Sequence, residues 1–253
     1  MIGNRSNANI NQMVEQCGVA GNRKYSKALS FIEDGFTACA RNAIDLTGAA
    51  EKLSAEKYYA PCLSMSVLAL EEMGKMFFID GLLFAKSEGT KAEYFGKSLK
   101  SHNVKLAAVP MIPVLATMVA RSDPRFDKLE IFRRALAMGH ENWEQAGQEV
   151  LILAGHENFE FLDRWKQSGF YVSLINGNKF QSPRDGVDPN IAECVRKFAQ
   201  LSAANLEFAF SGGNLKRYME QARAIRSKLS EQDHHLLEEN AEEMIGWLFG
   251  DQD

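Results

Sequence analysis

Residues 62–85 read CLSMSVLALEEMGKMFFIDGLLFA, and apart from Glu71, Glu72, Lys75 and Asp80 they are all apolar or small. A helix made from this stretch has no polar side, which predicts that it lies at the centre of a helical bundle. Charges buried there lose much of their hydration energy, and this loss must be offset by ion pairs and hydrogen bonds. The stretch therefore predicts an all-α core together with partners for its charged side chains.

The helix itself supplies only part of this pairing. Glu71 and Lys75 are i,i+4 neighbours and Glu72 and Lys75 are i,i+3 neighbours, so one lysine is expected to face two carboxylates. One negative charge then remains, and cations that follow in the chain complement it: Lys97, Lys100, His102 and Lys105. Two interpretations stay open, a structural ion-pair network or solvated stripe, and an active or binding site between two helices.

Helical periodicity extends through most of the chain. The expected helices cover residues 24–53, 62–86, 91–121, 127–153, 190–210 and 230–249, with Pro110 and Pro113 kinking or dividing the third. Residues 169–181 depart from this pattern, because Gly169–Ile175 is rich in β-branched and aromatic residues and Asn176-Gly177 is a strong turn signal. We expect a short β-hairpin or extended loop there.

Three regions follow from this organisation. Residues 1–23 form a polar N-terminal segment, residues 24–185 a helical domain, and residues 186–253 a helical C-terminal extension, joined to the domain through a linker at 183–189. The net charge is −4, but residues 231–253 are acidic and contain no lysine or arginine. The remaining residues are mildly basic, which is compatible with binding to the phosphate backbone of a nucleic acid. They lack the dense stripe of lysine and arginine that a dedicated nucleic-acid binder carries.

Composition narrows the function classes further. With 253 residues, 45% of them hydrophobic and only 6 prolines, the chain is typical of an ordinary globular protein. Its 4 cysteines form no CxxC pair, so neither a zinc knuckle nor a dithiol motif is expected. The N-terminus lacks the apolar core of a signal peptide, and the longest uncharged apolar run, 106–120, is shorter than the roughly 20 residues of a membrane span. We expect a cytoplasmic protein with no membrane partner, metal or cofactor.

Three short motifs occur in order along the chain: Ala-Leu-Glu-Glu-Met-Gly-Lys at 69–75, Ser-His-Asn-Val-Lys-Leu at 101–106, and Gly-Phe-Tyr-Val at 169–172, upstream of Pro183. Together they resemble the AbiV family of bacterial abortive-infection, or phage-defence, proteins, which is similar to the HEPN superfamily of helical bundles. The resemblance implies an all-α HEPN-like bundle, a homodimer, and an action on RNA or translation. It singles out Glu71, Glu72, Lys75, His102, Lys105 and Tyr171. The family often has Asp after Tyr-Val, whereas this chain has Ser173 and therefore no carboxylate at that position.

Ribonucleases of the HEPN superfamily carry an arginine followed after four to six residues by a histidine. Such a pair can cleave RNA without a metal, because the RNA supplies a 2′-hydroxyl, histidine moves the proton and arginine stabilises the developing charge. Arg133 and Arg134 both stand at this spacing from His140. Roughly 0.75 such matches are expected by chance in a chain of this composition, so this group ranks second.

The catalytic candidates ranked first are Glu72, Lys75, His102 and Lys105, with Glu71, Lys97, Lys100 and Tyr171 as binding positions. Two hypotheses follow. The first is an effector that cleaves tRNA or mRNA as a metal-independent endoribonuclease, and a basic cleft around His102 or His140 would favour it. The second is a non-catalytic helical protein that captures a phage or host protein, which exposed aromatic residues beside the hairpin would favour.

Overall fold

Helices make up most of the part of the chain that the structure, a computed structural model, describes: residues 23–81, 101–126, 130–155, 159, 161–175 and 179–226. The helices are α1 (Arg23–Ala55), α2 (Tyr59–Gly81), α3 (His102–Ala107), α4 (Ile112–Ala120), α5 (Glu130–Ala154), α6 (Leu162–Phe170), α7 (Pro183–Gly186), α8 (Pro189–Phe210) and α9 (Asn214–Arg226). Short 3-10 turns at Val109–Met111 and Ser211–Gly213 precede α4 and α9. Two strands, β1 (Ser173–Ile175) and β2 (Lys179–Gln181), complete the fold.

Helix α2 lies at the centre of the bundle, as its sequence predicts. It packs most extensively against α1, α3, α6 and α8, and residues on different sides of it, Leu63, Met76 and Phe78, are all buried. Pro61 lies in the first turn of α2, where its missing N–H group would have no partner within the helix. Because α2 contacts six of the described helices, charged residues on it can be reached from several parts of the chain.

Helix α8 is the second central element and contacts α1, α2, α4 and α5. Phe198 on this helix is fully buried and stacks on Phe159, with ring centroids 5.0 Å apart. Trp143 of α5 packs on the same ring and donates a hydrogen bond of 2.8 Å to Ser202. Residues after 186 therefore contribute directly to the main core. The domain boundary expected at 185 stays a prediction.

Most of the helix predictions that fall on described residues are confirmed. Helices α1, α2, α5 and α8 match the expected segments closely. The prolines divide the third segment as expected, because Pro110 lies in a 3-10 turn and Pro113 in the first turn of α4. Helices α6 and α9 are additional. The polar segment before residue 23, the first part of the third predicted helix, the helix predicted at 230–249 and the acidic tail lie outside the described residues.

The predicted hairpin is also confirmed, with narrower bounds. Strands β1 and β2 are antiparallel, and Ser173 pairs with Gln181. Gly169 and Phe170 belong to α6 rather than to the extended region, and the expected linker contains the short helix α7. The proposed Asn176-Gly177 turn lies outside the described residues.

One described stretch, His102–Ala120, is long and apolar enough to cross a membrane by length and composition alone, with a hydropathy of 1.6. However, 56% of it is buried inside the protein. Leu106, Val109 and Leu115 belong to the hydrophobic core. Buried core helices can be as long and as apolar as membrane spans, so length and composition here are weak evidence for a membrane segment.

Candidate functional site: an ion-pair cluster at the carboxylate of Glu71

A single buried carboxylate organises the polar centre of the bundle. Glu71 on α2 is only 2% exposed. Its Oε1 atom lies 2.5 Å from Nζ of Lys166, and its Oε2 atom lies 2.6 Å from Nδ1 of His102 and 3.4 Å from Nζ of Lys105. Three helices, α2, α3 and α6, thus contribute charged groups to one point, and each ammonium group offsets the cost of burying the carboxylate.

Two glycines let these helices approach one another closely. A Cβ atom on Gly74 would lie 1.9 Å from the carbonyl oxygen of Lys105, so α2 and α3 touch backbone to backbone. A Cβ atom on Gly169 would lie 2.1 Å from Oγ of Ser64 and 2.5 Å from the carbonyl oxygen of Ala60, at the contact between α6 and α2. Any side chain at either position would push apart the helices that carry the cluster.

His102 is the most accessible member of the cluster. Its side chain is 49% exposed, whereas that of Glu71 is 2% exposed. Two groups lie close to the Nδ1 atom of His102: the carboxylate of Glu71 and, at 3.0 Å, the Nζ atom of Lys166. If Nδ1 carries a proton it donates to Glu71, and it then has no lone pair to accept a hydrogen bond from Lys166. The shorter distance to Glu71 and its negative charge favour the form with the proton on Nδ1. In that form Nε2, which has no partner among the described residues, carries a lone pair.

Lys166 and Asp163, both on α6, belong to this cluster although the sequence analysis did not single them out. The side chain of Lys166 is 5% exposed, and its Nζ atom lies 2.6 Å from Oδ1 of Asp163. The hydroxyl group of Ser64 donates a hydrogen bond of 2.9 Å to the backbone carbonyl oxygen of Lys166, which ties α6 to α2. The signal available in the sequence was the i,i+3 spacing of Asp163 and Lys166, just before the Gly-Phe-Tyr-Val motif.

The expectation that Lys75 faces both glutamates is wrong for the described geometry. Lys75 forms an ion pair with Glu72, and the lysines close to Glu71 are Lys105 and Lys166. Consecutive residues on a helix point about 100° apart, so Glu71 faces the core while Glu72 faces the rim. The Cys39 thiol of α1 lies beside Glu72. Burial and this carboxylate raise the pKa of Cys39 to about 12.

Burial also affects Lys105, whose side chain is 5% exposed. Loss of hydration lowers the pKa of its ammonium group, while the nearby Glu71 carboxylate acts in the opposite direction. The cluster as a whole contains three carboxylates, Glu71, Glu72 and Asp163, and three lysines, Lys75, Lys105 and Lys166. The charges of these six described side chains balance.

A family model for AbiV, within the HEPN group, matches residues 31–204. The chain belongs to the AbiV family. Its members are abortive-infection, or phage-defence, proteins of the HEPN type, as the three motifs indicate. Neither the curated proteins nor the solved structures include a match to the chain.

The AbiV motifs meet at one place in the fold. The first lies on α2 and supplies Glu71 and Gly74, the second begins α3 and supplies His102 and Lys105, and the third follows Lys166 at the end of α6. Ser101, the first residue of the second motif, caps α3 by accepting a hydrogen bond from the backbone N–H group of Val104.

The remaining candidate positions lie apart from this cluster or outside the described residues. Tyr171 follows α6 and is 63% exposed, with its ring against Phe170 and no contact to Glu71. Lys97 and Lys100 lie outside the described residues.

The described side chains of the Arg–His group expected from HEPN ribonucleases form contacts with other residues. Arg133 and Arg134 both form ion pairs with Glu130 on α5. His140 lies about two helical turns further along, where its Nε2 atom is 3.3 Å from Oγ1 of Thr117 on α4. Burial lowers the pKa of His140. In the described part of the chain neither arginine contacts the histidine, and the role of this group stays a prediction.

Proposed function

We propose that this AbiV-family protein is a phage-defence effector that acts on RNA, with His102 as the residue that moves the proton. The contact between Glu71 Oε2 and His102 Nδ1, 2.6 Å long, is the observation that supports this proposal most directly. A buried carboxylate that holds one imidazole nitrogen leaves the other nitrogen oriented as a base, the arrangement that activates nucleophiles in hydrolases.

The reaction needs no metal ion. Nε2 of His102 takes the proton from an RNA 2′-hydroxyl group, the 2′-oxygen attacks the adjacent phosphorus, and the bond to the 5′-oxygen breaks. The proton then passes to the leaving 5′-oxygen, so the products carry a 2′,3′-cyclic phosphate and a 5′-hydroxyl group. Among the lysines of the cluster, Lys75 is the most accessible, 26% exposed, and is our candidate for contacting the phosphate.

The test is incubation of the purified chain with total RNA and with tRNA in EDTA, comparing wild type, His102→Asn and His140→Ala. Asn at position 102 keeps an N–H donor for Glu71 but has no basic nitrogen. We expect cleavage by wild type and His140→Ala, a loss of about 10²–10⁴-fold in His102→Asn, and new 5′-hydroxyl ends that can be labelled by polynucleotide kinase. Equal cleavage by wild type and His102→Asn, or its loss only in His140→Ala, would remove His102 from this role.

A second function, capture of a phage or host protein without catalysis, is favoured by the surface next to the hairpin. Phe170, Tyr171, Val172 and Phe180 are all exposed, and Phe180 is 74% exposed. Neighbouring exposed aromatic side chains commonly mark a binding surface.

Phage-protection assays separate the two functions. If capture is the function, Tyr171→Ser combined with Phe180→Ser abolishes protection at unchanged protein level, and His102→Asn protects as well as wild type. The opposite pattern supports the RNA-directed function.

A further inference from the structure

The ammonium group of Lys166 lies in the position that a divalent metal ion would take. One ligand atom each from Glu71, His102 and Asp163 lies within 4.8 Å of the others. Nζ of Lys166 is 2.5 Å from Glu71 Oε1, 2.6 Å from Asp163 Oδ1 and 3.0 Å from His102 Nδ1. A single cation thus contacts the three groups that would otherwise form a carboxylate–histidine metal site.

The composition and geometry of these groups suit a borderline divalent ion. Zinc and similar ions bind imidazole nitrogen and carboxylate oxygen at about 2.0–2.2 Å, commonly through three protein ligands. Each contact now made to Nζ would have to shorten by roughly 0.4–1 Å, a movement within reach of side chains in the first turn of α6 and at the start of α3. His102 would also have to release the proton from Nδ1, because a metal ion needs the lone pair.

The surroundings of Asp163 point in the same direction. Its Oδ1 atom is buried and accepts no well-formed hydrogen bond among the described residues, although Nζ of Lys166 lies nearby. A buried carboxylate oxygen without other donors is costly unless a cation stays beside it. Lys105 does not fill this role, since Glu71 is the one carboxylate that its Nζ reaches among the described residues, at 3.4 Å.

We propose that Glu71, His102 and Asp163 form a latent divalent-cation site that the ammonium group of Lys166 occupies and keeps closed. Removal of this ammonium group opens the site to one zinc ion, whereas removal of Lys105 leaves it filled. Neither statement depends on whether the protein cleaves RNA, and metal uptake is measured without any activity.

The experiment titrates Zn²⁺ calorimetrically into the full chain after treatment with EDTA and dialysis, for wild type, Lys166→Met, Lys105→Met and the double variant Lys166→Met/His102→Ala. Lys105→Met is the matched control, because it removes the same charge from the same carboxylate at a different position. Zinc sites elsewhere in the chain, including His234-His235, are shared by all four proteins and cancel in the comparison.

We expect Lys166→Met to bind one zinc equivalent more than wild type, with Lys105→Met and the double variant matching wild type. Equal uptake by Lys105→Met and Lys166→Met would overturn the proposal, because relief of charge alone would then explain binding. So would the absence of an extra equivalent in folded Lys166→Met, or uptake by the double variant below that of wild type, because the wild-type site would then already bind zinc.

Loss of the buried ammonium group is also expected to destabilise the chain. If Lys166→Met is unfolded without metal, zinc is expected to restore its helical circular dichroism by mass action, but not that of the double variant. Failure of zinc to refold Lys166→Met, or equal refolding of both variants, would contradict the proposal.

Discussion

The hydroxyl group of Tyr218 donates a hydrogen bond of 2.7 Å to Oδ1 of Asp80, and both residues are buried. Tyr218 lies on α9, after residue 204 where the AbiV family match ends, and Asp80 lies at the end of α2. The bond therefore fastens a helix outside the matched region to the central helix of the family domain. Burial raises the pKa of Asp80 to about 6, and the hydrogen bond from Tyr218 opposes this rise.

The raised pKa of Asp80 predicts an effect of pH on stability. The unfolded chain releases this proton near pH 4, at about 3.9, whereas the folded chain holds it up to about pH 6. The contribution of Asp80 to stability is therefore greatest below pH 4, falls between pH 4 and 6, and stays low above pH 6. Asp80→Asn keeps an acceptor for Tyr218 without this titration, so we expect its melting temperature relative to wild type to be higher at pH 7.5 than at pH 4.5.

Tyr218→Phe provides the companion measurement. The hydroxyl group stabilises the charged form of Asp80, so its loss should cost more at pH 7.5 than at pH 4.5, on the order of 1–3 kcal/mol in the charged state. Urea unfolding at the two pH values measures both variants. An unchanged difference between Asp80→Asn and wild type across this range would show that Asp80 does not titrate as its burial indicates.

The close contact between α2 and α3 predicts the result of a small substitution. Gly74→Ala places a methyl group 1.9 Å from the carbonyl oxygen of Lys105, and backbone cannot rotate away as a side chain can. We expect a loss of about 2–4 kcal/mol in the free energy of unfolding, comparable to severe overpacking, and displacement of His102. Chemical denaturation measures the first effect.

Gly48→Ala is the matched control for this substitution. Gly48 also lies inside a helix, α1, but no atom lies within 4 Å of the position its Cβ would take. Alanine is favoured over glycine in helices, so Gly48→Ala should stabilise the protein by about 0.5–1 kcal/mol. Similar effects of the two substitutions would contradict the tight contact at Gly74.

The part of the site that could be predicted from sequence is the part set by local spacing and composition. The apolar residues around Glu71 predict that its carboxylate is buried and that cations from other helices pair with it. The next described helix supplies His102 and Lys105 as expected. Lys166 comes from a helix 95 residues away in the chain, and no spacing rule within one helix relates it to Glu71. The close packing of Gly169 on α2 and the hydrogen bond from Ser64 bring it there.

Two helices of the structure, α6 and α9, are not predicted from the sequence, and each has a physical reason. Helix α6 is short, and its last residues, Gly169 and Phe170, run directly into the aromatic and β-branched stretch 171–175, so sequence pattern alone groups them with the extended region. Helix α9 follows Gly212 and Gly213, whose positive φ values of 61° and 78° break the chain after α8. Its composition is polar overall and its apolar stripe is short, and tertiary contacts such as that of Tyr218 stabilise it.

The different burial of two neighbouring carboxylates predicts very different effects of the same substitution. Glu71→Gln leaves Lys105 without a carboxylate partner among the described residues, and breaking a buried pair in this way typically costs about 3–5 kcal/mol. Glu72 lies at the rim and its partner Lys75 is partly exposed, so Glu72→Gln should cost no more than about 1 kcal/mol. Urea unfolding followed by circular dichroism measures both variants.

The double variant Glu71→Gln/Lys105→Met tests the cause of the larger loss. If the loss arises from an orphaned buried ammonium group, replacing that group with an apolar side chain of similar length recovers part of the stability, so the double variant should be more stable than Glu71→Gln alone. Simple additivity of the two substitutions would instead mean that Glu71 and Lys105 do not interact. Because Lys166 keeps Asp163 as a partner in both variants, the comparison isolates the pair formed by α2 and α3.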